Sequence, residues 1–194
     1  MGKKKKSKNE FLNKKIIILC EGKTEKIFIS FLKKILDSKV QIKYDDLKGQ
    51  IGNTNKKIQT LTKQYKNINK IFLVCDNEHE KEIQKNEICN KVISKPSIEI
   101  IILLFLKIFE ETKLITLVNE SIDNIIKEIE NATINQEKYE KNGKHLMNFL
   151  DKQIKKENID FFEKNIQKIK KIYPKNLNLS FCEILNLFNK QSKK

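Results

Sequence analysis

The chain has no arginine and no tryptophan, and only two prolines and five glycines among 194 residues. The glycines are too scattered to build a glycine-rich phosphate cradle. The longest apolar run, from Ile100 to Phe109, is too short to span a bilayer and already holds Lys107. It reads as a buried core helix, and no membrane contact is expected. The N-terminus is charged rather than apolar, which excludes a secretory h-region there. Four cysteines, Cys20, Cys75, Cys89 and Cys182, lack any paired metal-ligand spacing. They read as small buried hydrophobes in a reduced, cytoplasmic setting.

What is present is lysine. All 40 basic residues are lysine, against 25 acids, for a formal net charge of +15. Such a charge suggests a polyanionic partner. Abundant lysine, asparagine and isoleucine together also mark an AT-rich coding bias, so the Lys/Glu helices of the second half read as solvated faces. The block "GKKKKSK" at residues 2–8 keeps its meaning after that discount, as a basic tail suited to nucleic acid. The length fits one compact domain with an appendage, or two small domains.

Along the chain, Lys15 to Cys20 has the short, continuous, isoleucine-rich pattern of a buried strand. Ile27, Phe28, Phe31, Leu32, Ile35 and Leu36 share one face of a helix. A strand is predicted at Val40–Tyr44, a loop at Gly49 and Gly52, and a helix from Asn53 or Thr54 to about Tyr65. "KIFLVCD", residues 70–76, is the second strong strand, and "ICNKVIS" is a weaker one after a short helix at His79–Lys85. Pro96 stands where a helix from Ser97 to Glu111 would begin. Alternating strands and helices predict an α/β fold with a parallel sheet covered on both faces. Beyond Thr112 the periodicity is helical at Ile122–Ile129, Leu146–Ile154, Phe161–Ile172 and Ser180–Phe188. The predicted organisation is a basic tail at 1–13, an α/β domain at 14–112 and a helical extension at 113–194.

"CEGKTEKIF" contains Gly-Lys-Thr after a strand, as a phosphate-binding P-loop does. That loop needs a glycine five positions before its last glycine, and Ile17 stands there, inside the strand. The strand instead ends on Glu21, and the next strong strand ends on Asp76, followed by Glu78. In a parallel sheet, strand carboxyl ends open onto one crevice. Acids crowded there repel unless a cation joins them, and Mg²⁺ prefers such oxygen ligands. Two readings stay open: a metal site that works on phosphates, or acids standing where the chain returns to solvent.

The same residues resemble a known family. "CEGKTEKIFISFL" with "FLVCDNE" looks like the Toprim domain, the α/β metal-binding fold of topoisomerases, primases and several nucleases. "EGKTE" (Glu21–Glu25) and "SKPSIEIIILLF" (Ser94–Phe105) resemble its RloB-like, phage-resistance branch. The likeness covers roughly residues 14–110, and "EKYEKNGKHLMNFL" (Glu137–Leu150) is similar to a later Tyr/Lys segment of that branch. The usual DxD motif stands here as Asp76-Asn77-Glu78, and the usual asparagine before the proline is Lys95. The resemblance implies a Toprim-like Rossmannoid sheet with a C-terminal helical extension. It implies Glu21, Asp76, Glu78 and Glu99 as ligands of Mg²⁺ or Mn²⁺, with Glu21 also a candidate general acid/base. Lys23 would face the scissile phosphate, and Lys95, Tyr139 and Lys141 would contact substrate. For Glu99 a carboxylate favoured by a helix N-terminus stands as an equal reading; for Lys95 a solvated lysine is the better one.

The activity implied is Mg²⁺-dependent phosphodiester cleavage of RNA or DNA, in antiphage defence. The alternatives are a catalytically degenerate Toprim that serves as a regulatory subunit beside a partner ATPase, and a housekeeping RNA-processing nuclease. Homo-oligomers fit any of the three.

Overall fold

Between Lys15 and Cys20 the chain offers no polar side chain, so that strand has no face to give to water. Residues 16–20 are accordingly 6% exposed or less. The computed structural model describes residues 15–38, 42–46, 54–64, 68–76, 89–94, 97–172 and 180–192. The elements in chain order are β1 (Lys15–Cys20), α1 (Lys23–Ile35), β2 (Ile42–Asp46), α2 (Thr54–Gln64), β3 (Ile68–Asp76) and β4 (Cys89–Ser94). There follow α3 (Ile98–Leu106), α4 (Glu111–Leu117), α5 (Ile122–Ala132), a 3₁₀ turn (Ile134–Gln136), α6 (Gly143–Gln153), α7 (Asn158–Ile172) and α8 (Ser180–Ser192). The predicted basic tail, the Gly49/Gly52 loop, the His79–Lys85 helix and Pro96 lie outside the described residues.

The four strands are all parallel, in the order β2-β1-β3-β4. From β1 the chain steps outward to β2, then returns across β1 to β3. Crossovers of one hand then require the two connecting helices to lie on opposite faces. They do. Ile16, Ile18, Cys20, Phe72 and Val74 pack with α1 and α3 on one face. Ile17, Leu19, Ile71, Leu73 and Cys75 pack with Ile58 and Leu61 of α2 on the other. The fold is therefore mixed α/β with a parallel sheet covered on both faces.

Helix α3 is apolar all round apart from Glu99, and every one of its residues is buried. A helix of that kind needs neighbours on all sides. It packs against α5 and α7, α6 packs against α1, and α8 against β4. Four aromatic rings join these layers. Phe28 meets Phe105 edge-on at 5.8 Å, Phe105 stacks on Phe162 at 4.5 Å, and Phe181 stacks on Phe28 at 5.8 Å. One hydrophobic core thus contains residues from Ile16 to Phe188, on both sides of the boundary predicted at 112.

Helix α3 ends earlier than the sequence predicts. It was expected to reach Glu111 but stops at Leu106, with Lys107 extended (φ −154°, ψ 165°). The cause lies on α7. Asn165, fully buried, donates to Leu104 O at 2.9 Å and Lys107 O at 2.8 Å, and its Oδ1 accepts from Phe109 N–H at 2.9 Å. Lys168 Nζ donates to Phe109 O at 2.7 Å. These bonds satisfy backbone groups that a helix end leaves open.

Candidate functional site

The order β2-β1-β3-β4 places the reversal of direction between β1 and β3, where open α/β sheets form a crevice at the strand carboxyl ends. Glu21 sits at that point. Its N–H donates to Val74 O at 3.0 Å, which continues the β1–β3 ladder one step past the strand. Asp76 ends the neighbouring β3. Val74 is paired with Cys20 and Asp76 with Ser94, so the Asp76 backbone lies two residues beyond the last β1 partner. The two strand ends predicted to meet are thus adjacent. The side chain of Asp76, and the whole of Glu78, His79 and Lys95, fall outside the described residues.

A residue to which the sequence reading gave no role completes the turn. Gly22 N–H donates to Glu25 Oε2 at 2.9 Å, the reach-back of a third-position glutamate to a helix N-cap. A Cβ on Gly22 would lie 3.2 Å from that same oxygen, so glycine allows the close approach. Glu25 is 7% exposed. Burial pushes its carboxyl above the ordinary glutamate range, and the charges of Glu21 and Glu99 push the same way. The N–H groups of Glu25 itself and of Gly22 oppose the shift.

Glu99 is on the first turn of α3 and is 1% exposed. Its Oε1 is 2.9 Å from Lys141 Nζ and accepts from Tyr139 Oη at 3.3 Å. Its Oε2 is buried and has no hydrogen-bond partner among the described residues, and neither has Ser97 Oγ at the start of the same helix. Tyr139 and Lys141, predicted as substrate contacts, are thus gathered at the candidate site as partners of Glu99. Lys23, the first residue of α1, is exposed. His145 is exposed and lies 3.7 Å from Glu140.

Among the described residues, no three His, Cys, Asp or Glu side chains are grouped to hold a metal ion. Glu99 Oε2 remains a buried carboxylate oxygen without a partner among the described residues, the one feature there that a hard cation would satisfy. Among the described residues no helix is long and apolar enough to cross a membrane. No family model matches this chain, and no curated protein or solved structure matches it.

Proposed function

We propose that the chain is a Mg²⁺-dependent nuclease of the Toprim class, similar to RloB-like antiphage proteins and working in the cytoplasm. The observation that supports this reading is the position of Glu21, whose N–H continues the β1–β3 ladder at the carboxyl edge of a parallel sheet, beside the end of β3. Glu21, Asp76 and Glu78 would hold Mg²⁺ or Mn²⁺, with Glu99 behind them. Bound there, the ion would supply Lewis-acid stabilisation of phosphate charge. Lys23 and Lys95 would steer the phosphate, and Glu21 would hold or move the proton at the attacking or leaving oxygen. The substrate is RNA or DNA, and a partner ATPase fits the defence setting.

The experiment is cleavage of labelled single-stranded RNA, tRNA and duplex DNA by purified protein with Mg²⁺ or Mn²⁺. Glu21→Gln and Asp76→Asn should each abolish any activity of the parent. Retained activity in either would remove that residue from the mechanism.

A second reading is a binding subunit that has lost catalysis. The Lys141–Glu99 ion pair favours it, because one buried carboxylate is already neutralised without a metal. Calorimetric titration separates the two readings: no heat with millimolar Mg²⁺ or Mn²⁺ favours the binding subunit.

A further inference from the structure

Of the five glycines in the sequence, Gly143 alone follows an asparagine. The pair stands at the start of α6, with Asn142 as the N-cap and Gly143 as the first helical residue. Both are exposed. A Cβ on Gly143 would meet nothing within 4 Å, so packing does not require glycine there. What glycine does leave is an unhindered main-chain nitrogen next to the Asn142 side chain.

The first turn of α6 is weakly held. The Asn142 side chain does not cap it. Its Nδ2 instead donates to Glu140 Oε2 at 3.0 Å, in an exposed bond. The turn holds no acid to meet the positive end of the helix dipole, and Lys144 adds charge of the unfavourable sign. The first bond of the turn is Leu146 N–H to Asn142 O at 2.8 Å, and the Gly143 N–H belongs to the group that a helix start leaves without an intrahelical acceptor. Asn142 has an extended ψ of 143°, which must rotate before the Gly143 nitrogen can reach its Cγ. Fraying of a weakly capped helix end supplies that rotation.

We propose that Asn142–Gly143 is a self-modification site, where the folded protein converts an amide into a carboxylate through a succinimide. The Gly143 nitrogen loses its proton to solvent base and attacks Asn142 Cγ. A bond forms between that nitrogen and Cγ, the bond from Cγ to Nδ2 breaks, and Nδ2 takes a proton and leaves as ammonia. Water then opens the ring. Attack at Cγ gives aspartate with the ordinary main chain; attack at the other carbonyl gives isoaspartate, whose main chain runs through Cγ and is longer by one methylene. The net change is addition of water and loss of ammonia, with no oxidant or reductant. The aspartate product puts a carboxylate on a helix N-cap, where it is favoured. The isoaspartate product displaces the carbonyl that receives Leu146 N–H and loosens the start of α6. Either product adds a negative charge to the residue after Lys141, whose ammonium pairs with Glu99 at 2.9 Å. The inference is independent of any metal and of the nuclease reading.

The test is incubation of the full chain in mildly alkaline buffer without denaturant, sampled over weeks by peptide mapping that separates aspartyl from isoaspartyl peptides. Asn142 should convert well ahead of two internal references. Asn119 is exposed but precedes Glu120, and its Nδ2 donates to Ile115 O at 3.0 Å; Asn165 is fully buried and bonded. Gly143→Ala has open space for its methyl group and should fold as the parent does, which circular dichroism checks. It should slow conversion at 142 on the order of tenfold. The isoaspartyl fraction should melt below the fresh protein, whereas Asn142→Asp should melt with it or above it. Conversion at 142 no faster than at Asn119, or equal rates in the parent and Gly143→Ala, would overturn the proposal. So would conversion of the parent in urea but not in native buffer, because the fold would then protect the pair.

Discussion

Gly22 and Glu25 are joined across the first turn of α1, with the glycine N–H donating to the glutamate Oε2 at 2.9 Å. The bond holds a carboxyl inside the protein, 7% exposed. Burial is the largest reason its proton affinity rises. The folded state therefore keeps a proton on Glu25 over a pH range in which the unfolded chain has lost it. Stability from this group is fully present below the unfolded value of about 4.5 and is lost as pH rises through the folded value. Glu25→Gln keeps an acceptor for Gly22 N–H and has no charge to bury. Its stability relative to the parent should match at pH 4 and grow as pH rises to 8. Urea unfolding across that range, in EDTA, measures it, and a flat difference would show that Glu25 does not titrate above its ordinary range.

Gly22 itself is not needed for its backbone angles, which are extended and open to any residue (φ −140°, ψ −170°). Its substitution acts through the 3.2 Å approach of the new Cβ to Glu25 Oε2. That oxygen ends a side chain and can shift by a few tenths of an ångström. Alanine also restricts the unfolded chain, which stabilises by roughly 0.4–1 kcal/mol where the native conformation permits. The two effects oppose one another, so Gly22→Ala should change unfolding free energy by less than about 1 kcal/mol. A larger loss in denaturant titration would mean that Glu25 cannot move.

Asn165 makes a sharper case. Its side chain serves Leu104 O, Lys107 O and Phe109 N–H, and none of it is exposed. Asn165→Leu has a similar shape but leaves those three backbone groups without that partner. The expected loss is at least about 3 kcal/mol, given about 1–3 kcal/mol for each buried group left unmet. Asn165→Asp should cost more, because it buries a charge and keeps only the acceptor. A thermal melt of Asn165→Leu within a degree of the parent would show that the bend after α3 does not depend on this residue.

The same residue shows where reading the sequence ran out. β1 and β3 were legible because each is a short apolar run ended by an acid, whereas the mixed β2 was placed two residues early, at Val40–Tyr44 rather than Ile42–Asp46. β1 falls at Lys15–Cys20 as expected, and β3 begins at Ile68, two residues before the predicted start. The amphipathic spacing of the later helices located α5, α6, α7 and α8 within a few residues. The end of α3 was not legible, because the group that stops it is on α7 and nothing local marks it. Glu25 was hidden for a related reason. On the sequence it is an ordinary third-position helix acid, and only the fold brings Glu99 near it. Tyr139 and Lys141 were read as substrate contacts, and their attachment to Glu99 required the packed structure.

The basic tail supports a prediction of its own. Residues 2–8 hold five lysines, at positions 3, 4, 5, 6 and 8. Lysines that pair with phosphates release bound counter-ions, so affinity falls with salt in proportion to the number of contacts, by about 0.7 per phosphate on single strands. If the tail binds nucleic acid as proposed, deletion of residues 1–9 should lower the slope of log affinity against log salt by about 2–3. Affinity at low salt should drop with it, with little dependence on base sequence, because phosphate contacts carry no sequence information. Fluorescence anisotropy with labelled oligonucleotides from 50 to 300 mM salt, roughly the range over which such contacts are lost, gives the slope directly. An unchanged slope would move the nucleic-acid contact off the tail and onto lysines elsewhere in the chain. Lys23, exposed at the start of α1 beside Glu21, would then be the first to substitute.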